Sequence, residues 1–453
     1  MGSNVGLRRF VLGLVLISVL LHFSCETKMV LSKNETSQLL KDPSYFHEAL
    51  DKLTDVIVHD IFSPPVASRV YAYPCIAAHQ VLQRDVDHLI DLSGKLNDLK
   101  VFTPQMDTTH VSFELAAMSA FFKVSKTLIF SEEQLENHIS KFYHELDSLG
   151  VSELLIKDSK RYGEAVANHI LEWADQDNYK ESRSFSKFTI TENPTEWKPT
   201  PPAYMEGIEP HWKTIRPMLL DSAQQFVPSP PTKFDLDKDS KFFKETMQVY
   251  TAVKESNEEQ KLIASFWDCN PYVMNQTGHM MFATKKITPG GHWMGIASIA
   301  SETAGQNFVE SIQTTTYVSL ALFDGFISCW DEKYRSSLIR PETVINENID
   351  EAWIPLLQTP PFPEHTSGHS VISTAAATIL TSFFGSPFNY LDDVEVKYGL
   401  PSRKFESFIQ ASDEAAISRL YGGIHYMPAI TEGVKQGKKV GDFIVEKLNI
   451  KRH

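Results

Sequence analysis

Cysteine is too scarce in this sequence to hold a fold together. Four occur in 453 residues; after Cys25 only Cys75, Cys269 and Cys329 remain, an odd number with no metal-type spacing. That excludes a disulfide framework, leaves room for one bridge at most, and favours buried thiols. Positive charge is short as well: 43 lysines and arginines stand against 57 acidic residues, a formal net charge of −14. Such a balance excludes a nucleic-acid surface and attraction to anionic membranes. It also means that any group of cations serving an anion is local. Strand-like alternation is scarce and short, and internal repeats and low-complexity tracts are missing. The apolar run from Phe10 to Leu21 is too short to span a bilayer.

That run is informative in another way. Arg8-Arg9 precedes it, and Ser24-Cys25 and the polar Glu26-Thr27-Lys28 follow, which is the layout of an export signal. Residues 1–24 are therefore expected to be a lipoprotein-like signal, with Cys25 as a lipid-anchored first residue. The mature chain is expected to be exported, periplasmic or attached to the cell envelope. His22-Phe23 departs from the small aliphatic residues usual before such a cysteine.

With 42% hydrophobic residues the chain can bury a large core, and helical periodicity dominates it. In residues 25–193, Ser131-Glu-Glu-Gln134 fits a capping box ahead of Leu135, Ile139, Phe142 and Leu146. Similar patterns run through Asp85–Leu96, His110–Lys126 and Tyr162–Ala174, and the histidines here are single and read as structural. Residues 194–232 carry Trp197-Lys-Pro-Thr-Pro-Pro202 and Pro228-Ser-Pro-Pro231 and read as a proline-rich linker wrapping a surface. Residues 233–453 return to helices over Glu258–Cys269, Val318–Lys333, Val371–Phe384, Ser412–Tyr421 and Glu432–Leu448. The predicted fold is all-α, two lobes of bundled helices joined by the linker.

Three segments of the last region place polar residues at the ends of apolar helices. Lys333 ends one helix and Arg340 follows it, ahead of Pro341, which turns the chain. Ser367-Gly368-His369 opens the next helix, where unpaired N–H groups favour an anion. Arg419 lies in an apolar run, and Gly422-Gly423 lets the chain bend before His425. Each has a plain structural reading: a solvated helix end, an N-cap, an ion pair of Arg419 with Asp413 or Glu414, a satisfied core histidine. Together they offer three cations, a hydroxyl, a glycine N–H and two imidazoles, the donor set of a multiply charged oxyanion.

The order Lys-x6-Arg-Pro, Ser-Gly-His, Ser-Arg-x5-His resembles the three-part signature of the type 2 phosphatidic acid phosphatase superfamily, which includes the vanadium-dependent haloperoxidases. Trp267-Asp268, Pro289-Gly-Gly-His-Trp293, Trp330 and Phe362 resemble the haloperoxidase branch, closest to the bacterial vanadium iodoperoxidases of marine flavobacteria. The resemblance implies a vanadate site in the C-terminal bundle and oxidation of iodide by hydrogen peroxide, by way of peroxovanadate, to hypoiodous acid or an equivalent I⁺ species. By the same resemblance Lys333, Arg340, Ser367, Gly368 and Arg419 hold the vanadate oxygens and His425 binds the metal. His369 is the acid–base group, and Lys333 also polarises the bound peroxide. Trp330, Phe362, Tyr272 and Asp331 are expected to shape the halide approach.

Two departures stand out. Ala429 lies where the phosphatase pattern carries an aspartate, so the group that orients His425 must come from elsewhere. Thr366 replaces the proline usual before Ser-Gly-His. The motifs themselves leave an alternative open: an exported acid phosphatase with His425 as nucleophile, passing through a phosphohistidine, and His369 protonating the leaving group.

Overall fold

The computed structural model describes residues 30–86, 89–277 and 280–450; the signal segment and Cys25 lie outside them. The N-terminal half is a helical group of α1 (Lys33–Leu39), α2 (Ser44–His59), α3 (Pro64–Leu82), α4 (Phe113–Leu128), α5 (Glu132–Ser148), α6 (Glu153–Ala174) and the short α7 (Tyr179–Ser182). After the proline-rich stretch come α8 (Lys241–Lys254), α9 (Glu258–Phe266), α10 (Pro289–Ala304), α11 (Phe308–Ser336), α12 (Pro341–Asn348), α13 (Gly368–Phe384), α14 (Phe408–Tyr421) and α15 (Met427–Lys447). Two small antiparallel hairpins, Val273–Thr277 with Met280–Thr284 and Tyr390–Asp392 with Arg403–Phe405, are the sheet content of the described residues. The all-α expectation holds. Among the described residues no helix is long and apolar enough to cross a membrane.

The central element is α11. Asn307 caps it in a reciprocal box with Glu310, and it is buried from Phe308 almost to its end, polar side chains such as Thr316 and Asp324 included. It packs against α3 of the first half, where Thr316 Oγ1 donates to the Cys75 carbonyl at 3.1 Å. One continuous apolar core therefore runs through both halves. The helix stops at Ser337, whose φ of 47° is left-handed, and Pro341 starts α12 at once. Lys333 thus ends one helix while Arg340 stands on the break before the next.

Close approach of α15 to α13 depends on Gly433, Gly437 and Gly441. A Cβ on Gly437 would lie 2.1 Å from the Val371 carbonyl oxygen, and one on Gly433 would meet Ser370 Cβ at 2.8 Å. The glycines let α15 press on the first turns of α13, and Ser367 N–H donates to the Ala429 carbonyl at 3.0 Å. The start of α13 is thereby held against the segment bearing His425.

The proline-rich stretch packs against α11 and α6. Asp324 of α11 accepts from the N–H groups of Met218, Leu219 and Leu220 at 2.7, 2.8 and 3.0 Å. Trp197 N–H donates to Ser337 and Ile208 N–H to Pro361, at 2.7 and 2.9 Å. Arg216 lies over the Trp173 ring.

Two local expectations fail. The described residues of the 85–96 range form turns rather than a helix: the apolar leucines are buried one by one, and Gln80 satisfies the Leu92 N–H from α3, so tertiary contacts replace the helical ladder. Ser131 does begin α5 but makes no side-chain cap. Its hydroxyl donates to Asp60 Oδ1 at 2.5 Å instead, a charged acceptor that outcompetes a backbone N–H.

Candidate active site

The three motifs converge. Lys333, Arg340 and Arg419 are each no more than 1% exposed, so the solvated helix end is excluded for Lys333 and Arg340. Lys333 Nζ donates to the carbonyls of Pro363 and Glu364 at 2.9 and 3.2 Å. Arg340 Nε donates to Phe362 O at 2.9 Å, and its Nη1 to Ile424 O at 2.7 Å and to His425 Nε2 at 3.1 Å. Arg419 Nε donates to Ser418 Oγ at 2.9 Å and its Nη2 to Trp267 O at 2.6 Å. The partners of all three are carbonyls, a hydroxyl and a ring nitrogen, not carboxylates. Glu414, an expected partner of Arg419, binds Arg403 and the Trp267 indole instead.

Buried cations without paired carboxylates are costly, and the cost appears in their proton affinity. Burial draws the Lys333 ammonium down to about 7, and the Arg340 guanidinium to about 10. An anion placed among them would relieve both. Arg340 Nη2 is buried without a partner, and its donors are free for such an anion.

His425 has a determined tautomer. An arginine can only donate, so Nε2 accepts from Arg340, and Nδ1 carries the hydrogen that Glu364 Oε1 accepts at 2.9 Å. The same carboxylate oxygen accepts from Tyr426 N–H at 2.9 Å. Burial, then repulsion from Arg340, Lys333 and Arg419, holds the His425 pKa well below its ordinary value. The ring is a neutral base with its lone pair turned to the cations. Glu364 is the residue that sequence reasoning passed over. It sits within the Pro-Glu-His-Thr-Ser-Gly-His stretch, but nothing in one dimension shows it crossing to His425. Burial pushes its carboxyl up to about 7, against the pull of Arg340.

His369 faces the same space from the first turn of α13. The Trp267 carbonyl bonds its ring, and its Nε2 is buried without a partner. Burial and then Arg419 keep its pKa well below the ordinary range. Ser367 caps α13, its Oγ accepting from Ser370 N–H at 3.3 Å, which leaves the hydroxyl hydrogen for another acceptor.

A narrow cavity of about 30 Å³ opens over Gly368, His369, Arg419 and His425, walled by Tyr272, Trp330 and Phe362. The Trp330 and Phe362 rings lie 5.0 Å apart, and Lys333 Nζ stands 4.9 Å from the Phe362 ring centre. Trp330 Nε1 and Tyr334 OH both donate to Ile208 O, at 3.1 and 2.6 Å, so the proline-rich strap steadies this wall. Asp331 is not brought to the cavity. Arg335 and Gln224 take its carboxylate at 3.1 and 3.4 Å, because one position along a helix turns the side chain about a quarter of the way round from Trp330.

A family model described as the VCPO second helical-bundle domain matches residues 313–452. The structure is similar to that of a bacterial vanadium-dependent iodoperoxidase, with TM-score 0.85 and 51% identity, over 90% of this chain and 97% of the other. It is also similar to a bacterial vanadium-dependent chloroperoxidase in its holo form, with TM-score 0.64 and 15% identity over 86% and 93% of the two chains, a likeness of fold. No curated protein sequence matches the chain.

Proposed function

The chain belongs to the vanadium-dependent haloperoxidases, and from that premise we propose that it oxidises iodide with hydrogen peroxide to hypoiodous acid or an equivalent I⁺ species. The observation that carries the proposal is the cage of three buried cations, unpaired with carboxylates, around a neutral His425 whose Nε2 lone pair faces them. These residues fit vanadate: Arg340 Nη2 and His369 Nε2 are buried polar atoms that an oxyanion with a protonated oxygen would satisfy. Lys333, Arg340, Arg419, the Ser367 hydroxyl and the Gly368 N–H would hold its oxygens, and His425 Nε2 the metal. When bound, the vanadate supplies a Lewis acid that activates peroxide.

The chain's own groups do the rest. His369, neutral at pH 7, accepts the proton of incoming hydrogen peroxide at Nε2 and later returns it. Lys333, which would hold one oxygen of the anion by a donated hydrogen bond, would polarise that oxygen. Glu364 keeps the Nδ1–H tautomer of His425 and so keeps Nε2 available. Tyr272, Trp330 and Phe362 form an aromatic wall that excludes water and suits a large, weakly hydrated halide.

The test is triiodide formation from iodide and peroxide, with and without orthovanadate, beside bromide oxidation and p-nitrophenyl phosphate hydrolysis. Vanadate-dependent iodide turnover well above bromide turnover is expected. Phosphate ester hydrolysis without vanadate-dependent oxidation would favour the phosphatase chemistry instead.

We also propose export and lipid anchoring at Cys25, supported by Arg8-Arg9, the Phe10–Leu21 run and Ser24-Cys25. Expression with labelled palmitate in a bacterial host should label the envelope-bound protein. Label retained in Cys25→Ser refutes the anchor.

A further inference from the structure

Behind the Trp267 carbonyl that bonds Arg419 lies a second buried cluster. The His292 ring stacks on Trp267 with centroids 4.6 Å apart. Its Nδ1 lies 3.1 Å from Glu395 Oε1 and 3.6 Å from Cys269 Sγ, and Cys269 Sγ lies 3.6 Å from Glu395 Oε1. On the far side of the ring, Nε2 meets Asp392 Oδ2 at 2.8 Å. All four residues are buried.

The two separations from sulfur match the edges of a zinc tetrahedron, and the 3.1 Å from nitrogen to oxygen is slightly shorter than one. With Zn–S of about 2.3 Å and Zn–N and Zn–O of about 2.0–2.1 Å, the edges of a tetrahedron run from about 3.3 to 3.6 Å. The donor types, one thiol, one imidazole and one carboxylate, suit a borderline-soft divalent cation. Asp392 on the remote ring nitrogen is the outer partner that metal-binding histidines usually have. Charge admits the same reading. Two buried carboxylates, Asp392 and Glu395, face one imidazole, and the positive charge between them is supplied either by a bound cation or by the protonated ring.

We propose that Cys269 Sγ, His292 Nδ1 and Glu395 Oε1 are three ligands of a second metal site taking Zn²⁺ or a divalent cation of like softness, with the fourth position left to water and Asp392 fixing the His292 tautomer. Binding breaks the S–H bond of Cys269 and displaces the proton shared by His292 and Glu395. Two protons leave, one divalent cation enters, and the net charge of the cluster is unchanged. No electron is transferred. The site pins the chain from Trp267 to Tyr272, which supplies both the carbonyl on Arg419 and one wall of the catalytic cavity.

The full mature chain, expressed with zinc in the medium and passed over chelating resin, should retain about one zinc per chain by elemental analysis, whether or not vanadate is present. Growth on cobalt should give a thiolate-to-cobalt charge-transfer band in the near ultraviolet, absent in Cys269→Ser. Asp392→Asn should weaken zinc binding by about 10- to 100-fold while leaving the helical circular dichroism unchanged. Wild-type protein with only trace zinc and no such cobalt band overturns the proposal and leaves the cluster a hydrogen-bonded imidazolium. Undiminished metal in both Cys269→Ser and His292→Gln also overturns it, because the metal would then lie elsewhere. If the variants fail to fold, the wild-type count and the cobalt spectrum decide alone.

Discussion

Replacing Glu364 tests the reading of His425 directly. Its Oε1 accepts from His425 Nδ1 and from Tyr426 N–H, both at 2.9 Å. Glu364→Gln keeps an acceptor oxygen in place but turns a charge-assisted hydrogen bond into a neutral one. Charged bonds contribute about 1.5–3 kcal/mol and neutral ones about 1 kcal/mol, so the loss is about 0.5–2 kcal/mol, centred near tenfold in affinity. Glu364→Ala removes the partner altogether and frees the ring to rotate. Losses of an outer partner run to about 100-fold in metal affinity.

An opposing effect must be separated. Removing the carboxylate from beside Lys333 and Arg340 makes the cage more positive and favours any oxyanion. Phosphate feels only that second effect, since it makes no bond to an imidazole lone pair without chemistry. Vanadate feels both. Titration of anion-free protein with orthovanadate, followed by ⁵¹V NMR or by recovered iodide oxidation, should show weakening by about tenfold in Glu364→Gln and more in Glu364→Ala. Phosphate, measured as a competitor, should bind as well as in wild type or better. If the two anions weaken together, or neither changes, Glu364 does not act through His425 and the tautomer argument is wrong.

Further outcomes follow from the same geometry. Burial draws Lys333 to about 7 in the fold, while an unfolded lysine keeps its ordinary, higher value. The unfolded state therefore binds the extra proton between about pH 7 and the lysine range, so this group makes anion-free stability rise with pH across that window. Lys333→Met should flatten the rise, stabilise the anion-free protein at pH 7 by about 1–4 kcal/mol and abolish vanadate binding; denaturant unfolding at several pH values checks this. His369→Ala should cost about 10²- to 10⁴-fold in kcat while vanadate still binds, and an unchanged rate would remove His369 from the acid–base role. Gly437→Ala, whose new Cβ would strike the Val371 carbonyl, should destabilise by about 1–3 kcal/mol, read as a lower Tm.

The parts of the site that were legible in the sequence are those carried by local order. Lys333, Arg340, Ser367, His369, Arg419 and His425 stand at helix ends marked by Pro341, by Gly422-Gly423 and by the Ser367 cap, and such punctuation is written within a few residues. The mainly helical fold followed for the same reason, since apolar periodicity is a short-range signal. Where that signal misled, a long-range contact had replaced it. Gln80 serves the Leu92 N–H, and Asp60 takes the Ser131 hydroxyl. Asp331 was placed by its nearness to Trp330 along the chain, but helical rotation turned it to Arg335.

The sequence by itself determined which residue types are present, the order of the three motifs, and the helices that present them, because helix formation and capping are settled over one or two turns. Tertiary structure decided the rest. It showed that Glu364, rather than any residue at position 429, orients His425, that the cations rest on carbonyls rather than carboxylates, and that Cys269, His292 and Glu395 meet. Those pairings span tens to more than a hundred residues: Gly433 and Gly437 let α15 close on α13 beside His425, and burial leaves each polar group few partners to choose from.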